Sequence, residues 1–107
     1  MLIRLARYLE ANVLVDRLIP AVSGLVHSED PILLSRLAHT RHIAGYVKSQ
    51  VTRANETAIP LAHYQEMERV ARILNDQTLL NVALTYQGDM LQRGGRVDKS
   101  ILYREIF

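Results

Sequence analysis

The chain has 107 residues, 49% of them apolar, and a net charge of +2 from 11 arginines and two lysines set against 11 acids. That length suits one domain with a modest core, the apolar fraction excludes a disordered chain, and the near balance of charge argues against a surface built mainly to hold nucleic acid. Cysteine is absent, which removes a disulfide framework and a thiolate zinc site and agrees with a cytoplasmic protein.

No apolar run approaches the roughly 18 residues of a membrane span. The N-terminal stretch MLIRLARYLEANVLVDRL lacks the unbroken apolar segment and small-residue cleavage site of a signal peptide. A soluble, cytoplasmic protein is the expectation.

In chain order, Leu2, Leu5, Ala6 and Leu9 are spaced for a first helix, which Asn12 is expected to interrupt. Val13, Leu14, Leu18, Ala21, Val22 and Leu25 continue as a second helix or bent extension, with Pro20 expected to kink it or start a new turn. In SEDPILLSRL, Asp30 is placed to cap a third helix and Pro31 suits its first turn. Leu33, Leu37, Thr40, Ala44, Val47 and Val51 then form one apolar stripe, and Asn55 is expected to end the helix.

A short connection leads to Pro60 and a fourth helix with Leu61, Tyr64, Met67, Ala71 and Leu74 on its inner face. NDQTLL repeats the start signal, with Asp76 as cap. The fifth helix has Leu80, Leu84, Gly88 and Leu91 on one face and Ala83, Tyr86 and Met90 on a second, the pattern of a helix covered from two sides. Gly94 and Gly95 stop it, one of them expected in the left-handed conformation that ends helices. A last helix, from Arg96, carries Val97, Ile101, Leu102 and Ile106. No segment shows the period-2 alternation of a strand.

Chemical motifs are sparse. The glycine pair has neither the spacing nor the preceding strand of a phosphate loop. His39 and His42 lie three apart on one helix, but zinc needs three or four ligands, and His27 and His63 fall on other segments. Glu66 and Glu68 are two apart and so point in different directions, with Glu68 and Arg72 spaced as an exposed helical ion pair. No cofactor, metal or catalytic centre is implied. Arg36, Arg41, Lys48 and Arg53 give the third helix a basic side, which supports an alternative reading as a small DNA-binding protein.

EDPILL at residues 29–34 echoes NDQTLL at 75–80, an offset of 46, while Gly45 and Gly88 differ by 43. A period of about 40 to 50 residues is that of helical solenoids. From Leu84 onward the chain resembles a tetratricopeptide repeat. Leu84 takes the first large position, Gly88 the glycine position and Leu91 the aromatic position. Gly95-Arg96 falls at the turn, Val97 opens the second helix and Ser100 takes the small position. Gln87 departs from the family's leucine, and Arg104 falls where phenylalanine is expected, one place after Tyr103. The preceding helix pair matches loosely and the first 28 residues do not match.

Taken whole, the chain resembles the C-terminal helical-repeat region of bacterial helix-turn-helix transcriptional regulators of the Xre type. The resemblance implies an all-α array of five to six antiparallel helices, one domain from 1 to 107, drawn from a longer protein. It implies a non-catalytic module that binds a protein or peptide. The first helix of each pair would line the groove, at His39, His42, Tyr46, Ser49 and Gln50 in one helix and at Val82, Thr85, Asp89, Gln92 and Arg93 in the other. Ile101, Ile106 and Phe107 on the last helix have no following helix to cover them, so self-association through that end is a further expectation.

Overall fold

The computed structural model describes residues 2–52 and 56–94, with side chains from residue 6 onward. Among these residues there is no strand. Four α-helices pack against one another: α1 (Leu2–Val22), α2 (Pro31–Val51), α3 (Ala58–Leu74) and α4 (Gln77–Arg93), with a 3₁₀ helix at Ser23–His27 between the first two. The all-helical class is as expected. No helix among the described residues is long and apolar enough to cross a membrane.

The expected break at Asn12 does not occur, and the first two expected helices are one. Asparagine costs a helix interior well under 1 kcal/mol relative to alanine, too little to end a helix with good formers on both sides. Pro20 also lies inside α1, which runs through it to Val22. The chain tightens into the 3₁₀ turn at Ser23, whose hydroxyl donates to the Pro20 carbonyl at 3.3 Å. The expected last helix, from Arg96, lies outside the described residues, as does self-association through its Ile101, Ile106 and Phe107.

Local chemistry sets the other boundaries. The Asp30 carboxylate accepts from the Ile32 amide at 2.9 Å and Pro31 occupies the first turn of α2, satisfying amides that have no partner inside the helix. The Asp76 carboxylate does the same for the Leu79 amide at 3.0 Å. Between α3 and α4 the turn is closed by Asn75, at φ 55°. The Asn75 amide donates to the Arg72 carbonyl and the Asp76 amide to the Ala71 carbonyl, the pairing that ends a helix through a left-handed residue. Asparagine adopts that conformation more readily than other side-chain-bearing residues. Gly94 does not adopt it, with φ −75°, and Gly95 lies outside the described residues.

Each helix packs on its neighbours in chain order, α2 against α1 and α3, and α3 against α4. The main core joins Leu34, Leu37 and Ala38 of α2, Tyr64, Met67, Val70 and Ala71 of α3, and Leu79, Ala83 and Met90 of α4. A smaller one joins Val15 of α1 to Ala44 and Val47 of α2. The expected single stripe of α2 is therefore two: one face meets α3 and α4, the other meets α1. Leu33 and Val51 are only half-buried while Leu34 and Ala38 are buried.

Among the described residues a close helix approach falls at Gly45. A Cβ on Gly88 would meet nothing within 4 Å among the described residues, whereas one on Gly45 would lie 2.6 Å from Cε1 of Tyr64. Gly45 is the position where a missing side chain lets α3 pack against α2.

Candidate binding groove between α2 and α4

α2 and α4 both lie against α3 and face each other across a groove. Side chains bridge it at two places. The His42 ring of α2 meets the Tyr86 ring of α4 with centroids 4.9 Å apart. Farther along, the Arg93 guanidinium donates to the Ser49 carbonyl at 3.0 Å and ties the end of α4 to α2.

The floor between these ties is aromatic. Tyr86 stacks on the buried Tyr64 ring of α3 with centroids 5.0 Å apart and 25° between planes. Tyr46, one helical turn from His42, meets Tyr8 of α1 edge-on, and the two hydroxyls are 3.2 Å apart. His42, Ile43, Tyr46 and Tyr86 line an open depression of about 380 Å³. Ile43 is 61% exposed there, an apolar side chain presented to solvent beside two tyrosines.

Beyond it, Tyr46, Ser49, Gln50, Tyr86, Asp89, Met90, Gln92 and Arg93 surround a second depression of about 300 Å³. At the other end His39, His42 and Val82 join Met67, Asp76, Thr78 and Leu79 around a third of about 400 Å³. The structure thus brings His39, His42, Tyr46, Ser49, Gln50, Asp89, Gln92 and Arg93 along one groove. Thr85 lines none of the three depressions; it is exposed, with its hydroxyl donating to the Asn81 carbonyl at 2.8 Å. Ser49, expected as an exposed member, is buried, and its hydroxyl donates to the Tyr46 carbonyl at 2.6 Å. A serine inside a helix readily bonds back to the preceding turn, and Arg93 covers this one from α4.

Electrostatics keep the groove floor neutral. Burial, and then the neighbouring His39, lower the pKa of His42 below the ordinary histidine value, so the ring is uncharged at neutral pH. Burial first, and Tyr86 second, push the Tyr64 phenol well above its usual range. The Ser49 hydroxyl close to that phenol is turned to the Tyr46 carbonyl, and the Tyr64 hydroxyl is left buried without a hydrogen bond.

The basic side of α2 is dispersed. Arg36 is exposed. Lys48 is held in an ion pair with Asp16 of α1, and Arg53 lies outside the described residues. Arg41 reaches Nδ1 of the buried His63 at 3.0 Å. A guanidinium only donates, so His63 Nδ1 accepts and the ring is neutral with its proton on Nε2. Burial, then the charge of Arg41, lower its pKa to about 4. Glu66 and Glu68 hold Arg69 and Arg72 as surface helical pairs at 2.8 and 2.9 Å, and Glu68 also accepts from the buried Gln87 at 2.8 Å. The buried Gln87 amide is thereby met by a carboxylate on α3. Among the described residues no three His, Asp or Glu side chains cluster as a metal site.

Ile43 and Tyr86 also line the groove, although the sequence places Tyr86 on a second apolar face of its helix. In the sequence Ile43 lies outside the apolar stripe of its helix, three residues before Tyr46. No family model matches the chain, and no curated protein or solved structure matches it either.

Proposed function

We propose that the chain is a non-catalytic binding module, a short tetratricopeptide-like array that takes an extended peptide in the α2–α4 groove. In this reading α2 and α4 are the first helices of successive pairs and α3 is the second helix of one of them. The module serves a bacterial transcriptional regulator in the cytoplasm as its sensory or oligomerising part.

The observation that carries the reading is the aromatic floor formed by His42, Tyr46 and Tyr86 with Ile43 exposed beside it. An apolar shelf bounded by polar side chains is how grooves take one anchoring side chain while bonding the backbone around it. Gln50 and Asp89 stand at the polar end. A peptide with an aromatic or branched aliphatic anchor fits this arrangement.

The test is selection of a random peptide library against the whole protein, followed by amide shift mapping with a selected peptide. Shifts are expected to centre on His42, Ile43, Tyr46 and Tyr86. Ile43→Glu should abolish binding, and Gln77→Ala, at an exposed position outside the groove, should leave it intact. Binding that ignores Ile43→Glu, or shifts centred elsewhere, would count against the groove. Tight duplex binding with a steep salt dependence would point to nucleic acid instead.

A further inference from the structure

α1 is apolar around most of its circumference. Val15, with the half-buried Ala11 and Ile19, packs on Ala44 and Val47 of α2. Val13 and Leu14 on the far side, and Leu9 and Leu18 on the two flanks, are open to solvent, Val13 by 51% and Leu14 by 64%. Glu10 and Arg17 are also exposed, and neither makes an ion pair among the described residues. They are seven residues apart, about two turns or roughly 10 Å along one face of the helix.

The order of these residues is symmetric about the midpoint between Val13 and Leu14. Glu10 lies as far before that point as Arg17 lies after it, and Leu9 mirrors Leu18. A two-fold axis through this point, perpendicular to the plane of a helix pair, generates an antiparallel copy of α1. It sets Glu10 against Arg17 of the partner subunit, and Arg17 against Glu10 of the partner subunit. Val13 and Leu14 of both copies fill the space between the two ion pairs. A surface whose charges are complementary to its own two-fold image is the kind a symmetric dimer requires. A parallel pairing would instead put Glu10 on Glu10 and Arg17 on Arg17.

We propose that the exposed face of α1 is a homodimer interface, two copies joined through antiparallel α1 helices by reciprocal Glu10–Arg17 pairs around Val13 and Leu14. The interface lies on the side of α1 away from α2 and stands independently of the groove.

Sedimentation of the full chain over a range of concentrations tests it. The wild-type protein is expected to self-associate. Glu10→Arg and Arg17→Glu should each weaken the dimer by at least about ten-fold, because each sets like charges against one another. Mixing the two variants should restore association, since each chain then carries the charges the other needs. Circular dichroism checks that both variants keep their helices; if one does not, Glu10→Gln and Arg17→Gln replace them, each expected to weaken the dimer. A monomer at every concentration overturns the proposal. So does a dimer indifferent to both substitutions, which would place association on another surface such as residues 95–107. Weakened variants that stay apart when mixed also overturn it, by removing the reciprocal register.

Discussion

Gly45 and Tyr64 are matched in shape: a carbon added at Gly45 would lie 2.6 Å from Cε1 and 2.8 Å from Cζ of the Tyr64 ring. The ring is fully buried and stacked under Tyr86, so it has no room to retreat. The close approach of α2 and α3 and the floor of the groove therefore depend on one missing methyl group.

Gly45→Ala puts two effects in opposition. Alanine favours the helix by about 1 kcal/mol, while overpacking a filled core costs about 1–3 kcal/mol. An overlap this deep with a fixed ring makes the second effect win, and urea denaturation should show a net loss of stability. Gly24→Ala is the counterpart. Gly24 is exposed, with nothing within 4 Å of an added Cβ, and the substitution should stabilise by about 0.4–1 kcal/mol by restricting the unfolded chain.

His63 makes stability depend on pH. Its folded pKa, about 4, lies below the unfolded value near 6.5, so between these limits the unfolded state binds more protons than the folded one. The stability that rests on neutral His63 is fully present above about pH 6.5 and is lost as pH falls towards 4, by an amount on the order of 2–3 kcal/mol. Denaturation midpoints followed from pH 7 to pH 4 should fall for the wild type and fall much less for His63→Gln. Ring nitrogen shifts at pH 7 should show the proton on Nε2.

Tyr64→Phe should not destabilise the protein, contrary to the usual result for a buried tyrosine. The hydroxyl is buried without a hydrogen bond, and an unsatisfied buried group of this kind costs about 1–3 kcal/mol. Removing it should leave thermal stability unchanged or raise it. A clear loss would mean that the hydroxyl has found a partner in solution.

Asn75 is the left-handed residue of the α3–α4 turn. Asn75→Gly should be close to neutral, whereas Asn75→Ala keeps a Cβ in that conformation without the short amide that eases it, at a cost of about 1–2 kcal/mol. Comparing the two by chemical denaturation separates backbone strain from any effect of the asparagine side chain.

Substitution in the groove should separate binding from folding. Ile43 is 61% exposed, so Ile43→Glu should change stability by no more than about 0.5 kcal/mol while removing affinity for a selected peptide. Equal losses of stability and affinity would assign Ile43 to the fold.

The amino-acid sequence by itself determined the helical class, the absence of strand alternation and the starts of α2 and α4. Asp30, Pro31 and Asp76 act within a few residues of themselves, through side chains that reach the next amides, so their roles are legible without knowing what packs nearby. The Glu66–Arg69 and Glu68–Arg72 pairs are local in the same sense. Only the tertiary structure decided that α1 runs through Asn12 and Pro20, where packing on α2 and the weak cost of asparagine outweigh a break. Only it decided that Gly45 is a close approach, since a glycine's role depends on the ring lying opposite it. It also decided that His63 and Ser49 are buried and that Ile43 and Tyr86 share a groove. Those facts rest on contacts between helices distant in the chain, and the apolar and polar periodicity of a single helix carries no record of which neighbour will cover each face.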